Sequence, residues 1–354
     1  MEGNDTYYTS ITALKARFDE TEKSCAFRAS GPEEYQRWKK ETRETLAALL
    51  GLAKMKMPQA PVRITKTEQL QDYERIHLII PVEPGIGMPC FFLKPNRPRC
   101  SPCPVIIATH GHGSGGKLAV AGLDMGNKKL RENRMNFNYA YGEHLATQGY
   151  MVFCPDARGF GERREAGQQG EDSLLSSSCR ELNQVAISMG MSLLGMFIWD
   201  LMRLLDYICT REDCDTGRIA CVGFSGGGAQ SLWLTALDDR VRAGVVSGYC
   251  YGVGDSLLLM NDNCSCNYVP GLWEHADMGD VGALIAPRPL LIETGDSDPL
   301  NGHRGVINAL EQTDVIKSAY RLLRAQDQFR HEVCRGGHRF YGDSLDDFLE
   351  RALG

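Results

Sequence analysis

The sequence lacks several features that would at once assign it to a large class of proteins. No uninterrupted apolar run approaches the roughly 18 residues that a membrane-spanning helix requires, and no block of lysine and arginine marks a nucleic-acid surface. The net charge of −6 agrees with that second absence. The first residues contain neither a basic nor an apolar segment, so no secretory signal is predicted. We therefore expect a cytoplasmic protein with neither nucleic acid nor membrane among its partners.

Cysteine, in contrast, is abundant. The 13 cysteines are odd in number and scattered from Cys25 to Cys334, which favours free thiols in a reducing compartment over a disulfide framework. Two short motifs, Cys100-Ser101-Pro102-Cys103 and Cys264-Ser265-Cys266, are reminiscent of zinc sites, and whether either pair forms a disulfide stays open. Because C-x-C is an unusual zinc motif and no histidine lies at finger spacing, we predict no metal and no cofactor.

The order of apolar segments indicates an α/β fold. Short apolar runs alternate with helical stretches, which is typical of a mostly parallel sheet covered by helices on both faces. The predicted central strands are 105–108, 151–154, 219–222, 244–246 and 290–292, and the predicted helices between them are 139–148, 193–210, 229–237 and 305–312. We predict a catalytic domain over residues 61–354 that opens with a β-hairpin. Residues 1–60 are predicted to form a helical extension packed on this domain, with a helix that starts near Pro32 and ends at Gly51.

The most specific motif is Val222-Gly223-Phe224-Ser225-Gly226-Gly227-Gly228, which fits the pattern G-x-S-x-G between a buried strand and a helix. In that context the serine sits in a strained turn that raises its hydroxyl above the sheet. The flanking glycines are needed because side chains there would collide with the backbone. Ser225 is therefore the predicted nucleophile, and the amide of Gly226, at the start of the helix, is a predicted donor to an oxyanion.

A serine nucleophile needs a base and an acid that orients the base, and in this fold the acid precedes the histidine in the chain. Three acids follow the strand at 290–292, namely Glu293, Asp296 and Asp298. Glu293 is expected within the strand end, and Asp296 is expected to shape the turn. We favour Asp298 because it lies deepest in the loop and because Pro299 stiffens the backbone directly after it.

The predicted base is His338, which lies in a turn after the glycines 336 and 337 and before the last helix. His331, at a strand end, is the alternative. The second oxyanion donor is expected in the glycine-rich loop His110-Gly111-His112-Gly113-Ser114-Gly115-Gly116, because it follows the first central strand. We predict the amide of His112 for this role, with that of Gly113 as the alternative.

Several further segments resemble the dienelactone-hydrolase-like and acetyl-xylan-esterase-like branch of the α/β hydrolases. They are Cys154-Pro155-Asp156-Ala157-Arg158-Gly159-Phe160-Gly161-Glu162-Arg163, residues 194–207, Cys266-Asn267-Tyr268-Val269-Pro270-Gly271 and Ala286-Pro287-Arg288-Pro289-Leu290-Leu291. The resemblance runs from about Ile76 to the C-terminus. It implies an α/β-hydrolase fold, the roles given above to Ser225, Asp298 and His338, and cleavage of carboxylic esters, often acetyl groups on sugars, without a cofactor.

The chain also departs from both subgroups of that branch. Ser225 stands where dienelactone hydrolases use a cysteine. The cephalosporin-deacetylase type carries Arg-Gly-Gln, Ser-Gln-Gly and His-Glu signatures, whereas this chain has Arg158-Gly159-Phe160, Ser225-Gly226-Gly227 and His338-Arg339. The substrates of those subgroups are therefore not carried over.

We predict a serine carboxylic-ester hydrolase that acts through an acyl-enzyme on a small acyl ester, such as an acetylated carbohydrate. Phe160, Tyr251 and Trp273 lie in segments that often wall the pocket of this fold and are predicted to bind substrate. The alternatives are a peptidase or acyltransferase with the same triad, or a catalytically silent binding protein. The expected partner is the small-molecule ester, and association into a homo-oligomer stays open.

Overall fold

The structure is a computed structural model that describes residues 9–170, 173–259, 261 and 263–354. Its strands are β1 (Arg63–Gln69), β2 (Tyr73–Glu83), β3 (Ile86–Pro95), β4 (Cys103–Thr109), β5 (Met151–Pro155), β6 (Cys214–Phe224), β7 (Ala243–Ser247), β8 (Leu290–Gly295) and β9 (Phe329–Cys334). Its α-helices are α1 (Ile11–Glu20), α2 (Pro32–Leu50), α3 (Lys117–Val120), α4 (Lys128–Asn136), α5 (Tyr141–Thr147), α6 (Cys179–Ser188), α7 (Leu193–Ile208), α8 (Gly226–Leu237), α9 (Met278–Ala283), α10 (Val306–Leu322) and α11 (Leu345–Leu353).

The nine strands form one sheet in the order β1-β2-β3-β5-β4-β6-β7-β8-β9. The first three strands form an antiparallel meander, and β3 also pairs antiparallel with β5. From β5 to β9 all pairs are parallel. The carboxyl ends of β4, β6, β7, β8 and β9 consequently meet at one edge of the sheet, where ligands bind in folds of this type.

Alternate side chains of the central strands pack into two separate hydrophobic cores, one on each face of the sheet. Val105 and Ile107 of β4 pack with α2 and α7–α10 on one face, whereas Ile106 and Ala108 pack with α3, α4, α5 and α11 on the other. Both faces of β4 are therefore buried, which explains why this strand reads as a continuous apolar run. The predicted mostly parallel sheet with helices on both faces is confirmed.

Helix α2 lies on the first of these cores, to which it contributes Tyr35, Leu46 and Leu50. The Tyr35 hydroxyl of α2 donates to the carbonyl oxygens of Ala283 and Ala286 at 2.9 and 2.7 Å. The helix ends as its sequence predicts, at Gly51 with a left-handed φ of 75°. Helix α2 thus packs on the core. The division into an extension over residues 1–60 and a catalytic domain over 61–354 stays a prediction, and residues 1–8 lie outside the described part.

Several elements differ from the sequence-based expectation. The β2–β3 hairpin forms around Gly85, but β1 extends it to a three-stranded meander. The helix predicted over 305–312 continues to Leu322, and α3, α4, α6 and α9 were not predicted. No single described helix is long and apolar enough to span a bilayer, although α6 and α7, bent by 98°, satisfy the length and composition criteria as a pair.

Candidate active site

Ser225 occupies the sharp turn between β6 and α8. Its backbone has φ 57° and ψ −120°, a strained conformation for a residue with a side chain. A Cβ atom on Gly223 would lie 2.1 Å from the carbonyl oxygen of Gly227, and one on Gly227 would lie 2.3 Å from that of Thr109. Both flanking glycines are thus sterically required, as the motif predicts, and the turn is anchored because the Ser225 amide donates to the Ser247 carbonyl oxygen at 2.9 Å.

Asp298 and His338 are brought together by the loops that follow β8 and β9. His338 Nδ1 lies 2.6 Å from Asp298 Oδ2, and the other carboxylate oxygen, Oδ1, accepts from the Leu300 amide at 2.9 Å. Asp298 is buried, with 3 % of its surface exposed, and the His338 ring packs on that of Phe224 with 4.6 Å between centroids. The carboxylate is therefore fixed on both oxygens and can hold the imidazole in one orientation and tautomer.

His338 and Ser225 line the same cavity. In the described part of the chain, no hydrogen bond joins the Ser225 hydroxyl to the imidazole. Contacts of this kind often tighten only when substrate binds. The roles of Ser225, Asp298 and His338 stay predictions that this arrangement permits.

The two rival acids have structural surroundings. Glu293 lies inside β8, is fully buried, and accepts from the Gly342 amide at 2.8 Å through Oε1; burial raises the pKa of its carboxyl. Asp296 accepts from the Gly336 amide at 2.9 Å. That hydrogen bond, together with one from Ser297, lowers the pKa of Asp296. Asp296 thus connects the two loops, and in the described structure neither carboxylate forms a hydrogen bond with His338.

The rival base, His331, lies between two threonines. Its Nε2 is 3.0 Å from the Thr294 hydroxyl and its Nδ1 is 3.0 Å from that of Thr313. Burial lowers the pKa of His331 to about 4. Both ring nitrogens are therefore engaged by hydroxyl groups on β8 and α10, which makes this histidine a packing element.

The glycine-rich loop after β4 lies directly against the elbow. Tyr139 donates to the His112 carbonyl oxygen at 2.8 Å, and a Cβ atom on Gly226 would lie 3.3 Å from His112 Nδ1. His112, Gly113 and Gly226 all line the cavity that contains Ser225. The structure thus brings both predicted oxyanion-hole residues to one place, and which amides bind the oxyanion stays a prediction.

The cavity at the elbow has a volume of about 390 Å³. Its described lining residues are His112, Gly113, Phe137, Tyr139, Phe224, Ser225, Gly226, Tyr249, Tyr251, Asn263, Cys264, Asn267, Leu300 and His338. Tyr251 is thus at the cavity, where its hydroxyl donates to Asn263 Oδ1 at 2.7 Å. The structure does not bring the other two predicted substrate-binding residues there. Phe160 is buried edge-on against His112, and Trp273 lies in a separate groove beside Phe18.

Sequence reasoning did not predict the ion pairs formed by the loop that follows β5. Asp156 pairs with the buried Lys117 at 2.5 Å, while Arg158 pairs with Asp200 at 2.7 Å. Asp156 and Arg158 share this loop, but each forms its ion pair with a residue outside it. The signal in the sequence was Lys117 itself, a lysine in an otherwise small and apolar segment, because a buried ammonium requires an acidic partner.

Sequence reasoning also missed a cluster of sulfur and nitrogen atoms at the wall of the cavity. One potential ligand atom from each of His112, Cys179, Cys264 and Cys266 lies within 4.8 Å of the other three. Cys264-Ser265-Cys266 was noted from the sequence, but the other two members lie far away along the chain. Hydrogen bonds from the neighbouring thiols, Cys179 first, lower the pKa of the Cys264 thiol.

The comparisons with known proteins agree with this architecture. The sequence model of the Abhydrolase family matches residues 2–335. "Putative hydrolase YtaP" of Bacillus subtilis (strain 168) is 28 % identical over 312 residues, which are 83 % of this chain and 97 % of that protein.

Two solved structures are similar throughout. "A putative acetyl xylan esterase" from Bacteroides fragilis NCTC 9343 superposes with a TM-score of 0.77 at 19 % identity, covering 100 % of this chain and 92 % of that one. A glucuronoyl esterase from Solibacter usitatus gives 0.66 at 15 % identity, covering 99 % of both chains. At these identities the likeness shows the fold. With the family match over most of its length, the chain belongs to the Abhydrolase family and has the α/β-hydrolase fold that its sequence predicts.

Proposed function

We propose that the chain is a serine carboxylic-ester hydrolase that acts through an acyl-enzyme on a small acyl ester. The observation that carries the proposal is the 2.6 Å contact between Asp298 and His338 beside a cavity that also contains the strained Ser225. Membership of the Abhydrolase family and the esterase names of the structural neighbours support it.

In the proposed reaction, His338 Nε2 accepts the proton of the Ser225 hydroxyl as the Ser225 oxygen attacks the ester carbonyl carbon. The amides of Gly226 and His112 donate to the oxyanion of the tetrahedral intermediate. His338 then gives the proton to the leaving alkoxide, which departs as an alcohol, and a water molecule repeats the sequence on the acyl-enzyme. Asp298 keeps the proton of the neutral imidazole on Nδ1, so that Nε2 is free to accept.

The cavity favours an uncharged substrate of modest size. Its volume of about 390 Å³ is near the lower end of the roughly 300–1,000 Å³ that is usual for small-molecule sites. The described residues that line it include five aromatic side chains and two asparagines, but no lysine or arginine to pair with a carboxylate. An acetylated neutral sugar or a similar small ester therefore fits better than a substrate that carries a free carboxylate next to the scissile bond.

Hydrolysis of p-nitrophenyl esters from acetyl to octanoyl tests the proposal. We expect turnover that falls with acyl length and disappears in Ser225→Ala, while Ser318→Ala, an exposed serine on α10, retains wild-type rates. No turnover of any ester by the folded wild-type protein would contradict the proposal. Faster release of nitrophenol on addition of an acceptor alcohol, with transfer of the acyl group to it, would instead identify an acyltransferase.

A further inference from the structure

Three thiols and one imidazole converge at the wall of the candidate active site. The Sγ atoms of Cys179, Cys264 and Cys266 and a ring nitrogen of His112 all lie within 4.8 Å of one another, with 4.0 Å between Cys179 Sγ and His112 Nε2. All three cysteines are free. Two of the four residues are buried and the other two are partly buried. Four potential ligand atoms this close together form a cluster of a different kind from a pair of neighbouring thiols.

The donor set matches the requirements of zinc. Three cysteine sulfurs and one histidine nitrogen are a common ligand set of tetrahedral zinc sites, whose ligand atoms lie roughly 3.5–3.8 Å apart, given Zn–S near 2.3 Å and Zn–N near 2.0 Å. The upper limit of 4.8 Å among the four atoms is about 1 Å longer, a difference that metal binding would have to close. Soft thiolates select Zn²⁺ or a similarly soft ion over Mg²⁺ and Ca²⁺.

The ligands come from three separate segments of the fold. His112 lies in the loop after β4, Cys179 is the first residue of α6, and Cys264 and Cys266 flank the start of the short 3-10 helix Ser265–Asn267. Nδ1 of His112 faces Gly226, whereas Nε2 faces Cys179. The geometry therefore assigns Nε2 as the ligand atom.

We propose that His112, Cys179, Cys264 and Cys266 bind one zinc ion that fixes the glycine-rich loop after β4 to the wall of the cavity. Zn²⁺ displaces the three thiol protons, and the neutral imidazole ligates through Nε2, so the completed site carries one net negative charge. Four protein ligands fill the tetrahedron, which leaves no position for water or substrate, and the metal is thus a positioning element.

The consequence for catalysis rests on the proposed function. His112 supplies a proposed oxyanion donor through its backbone amide, and Cys264 lines the same cavity. Zinc ligation of the His112 side chain would hold that amide in place together with the Tyr139 contact to the His112 carbonyl oxygen. Loss of the metal is expected to lower kcat for ester hydrolysis while KM changes little, because an oxyanion donor acts in the transition state.

Metal analysis of the full chain tests the proposal. Protein purified with a phosphine reductant and without chelator or nickel resin is incubated with Zn²⁺, desalted and analysed by plasma mass spectrometry. We expect one zinc per chain in the wild type and in Ser225→Ala, which separates metal binding from esterase activity. Cys209→Ser, the matched control at an exposed cysteine, should retain it, and Cys179→Ser and Cys266→Ser should lose it.

A spectroscopic measurement on the wild type tests the same proposal without depending on the folding of any variant. Reconstitution with Co²⁺ should give thiolate-to-cobalt charge-transfer bands in the near ultraviolet and the intense visible bands of tetrahedral cobalt. His112→Ala keeps the backbone amide and loses one ligand, so it should bind zinc more weakly and lower kcat. Substoichiometric metal after reconstitution, cobalt without thiolate bands, or a disulfide between any two of the three cysteines under reducing purification would overturn the proposal.

Discussion

Replacement of Asp298 by asparagine should remove most of the activity by reversing the histidine tautomer. Oδ1 of Asp298 accepts from the Leu300 amide at 2.9 Å, and Oδ2 faces His338 Nδ1 at 2.6 Å. In Asp298→Asn the amide oxygen must stay on the Leu300 side, because an NH₂ group there would oppose another donor. The NH₂ group then faces Nδ1 and donates to it, which puts the imidazole proton on Nε2. An Nε2–H cannot accept the proton of Ser225.

The size of the expected fall in kcat follows from the loss of His338 as general base. A wrong tautomer in a serine triad lowers kcat by roughly 10⁴-fold, which is about 5.5 kcal/mol of transition-state stabilisation. Because asparagine is nearly isosteric with aspartate, KM for p-nitrophenyl acetate should change little. The circular dichroism spectrum of the variant should be that of the folded wild type.

Two further variants serve as matched controls for Asp298→Asn. Asp296→Asn weakens the link to Gly336, and Glu293→Gln alters a buried contact with Gly342. Because neither carboxylate forms a hydrogen bond with His338, both variants should keep kcat within about tenfold of the wild type, against the much larger loss expected for a wrong tautomer. Full activity in Asp298→Asn, together with loss of activity in Glu293→Gln, would refute the assignment of the acid.

Three predictions concern stability, each measured by chemical denaturation. The pKa of His331 is lowered to about 4 in the folded state, against about 6.5 when unfolded. The unfolded state therefore binds more protons between these values, and the folded state should lose roughly 3 kcal/mol as pH falls from about 6.5 to 4. His331→Gln should flatten this dependence, and an unchanged slope would contradict it. Tyr35→Phe leaves the carbonyl oxygens of Ala283 and Ala286 without their donor, so the free energy of unfolding should fall by about 1–2 kcal/mol. An unchanged free energy of unfolding would show that water replaces the hydroxyl. In Gly227→Ala the new Cβ would lie 2.3 Å from the Thr109 carbonyl oxygen, whereas in Gly226→Ala it would meet no atom closer than 3.3 Å. Gly227→Ala should therefore lower the free energy of unfolding by about 3 kcal/mol or more, and Gly226→Ala by far less. Equal effects would refute the steric explanation of the elbow.

Local signals in the sequence were sufficient for the fold class and for the elbow. The apolar runs of β4 to β8 are continuous because these strands are buried on both faces, and the glycines around Ser225 are dictated by backbone contacts within one turn. Asp298 and His338 could be chosen because chain order and loop position restrict the candidates. Their 2.6 Å contact is a property of two loops, 40 residues apart, that only the completed sheet brings together.

Contacts between distant segments were beyond the reach of the sequence. Nothing local indicates that β3 pairs antiparallel with β5. The apolar surroundings of Lys117 indicate an acidic partner, but they do not identify it as Asp156. Trp273 was assigned to the substrate pocket from its segment, but the described structure places it in the groove beside α1. The proposed zinc site was out of reach of the sequence for the same reason. The C-x-C motif contributes only two of the four donors, and Cys179 and His112 join it through tertiary folding.

The central claim, that Ser225 is an activated nucleophile, is tested most directly by reaction with a fluorophosphonate and subsequent peptide mass mapping. We expect one adduct per chain, on the peptide that contains Ser225, formed in parallel with the loss of ester hydrolysis and strongly slowed in Asp298→Asn. An adduct on another residue, or persistent ester hydrolysis after complete modification of Ser225, would contradict it.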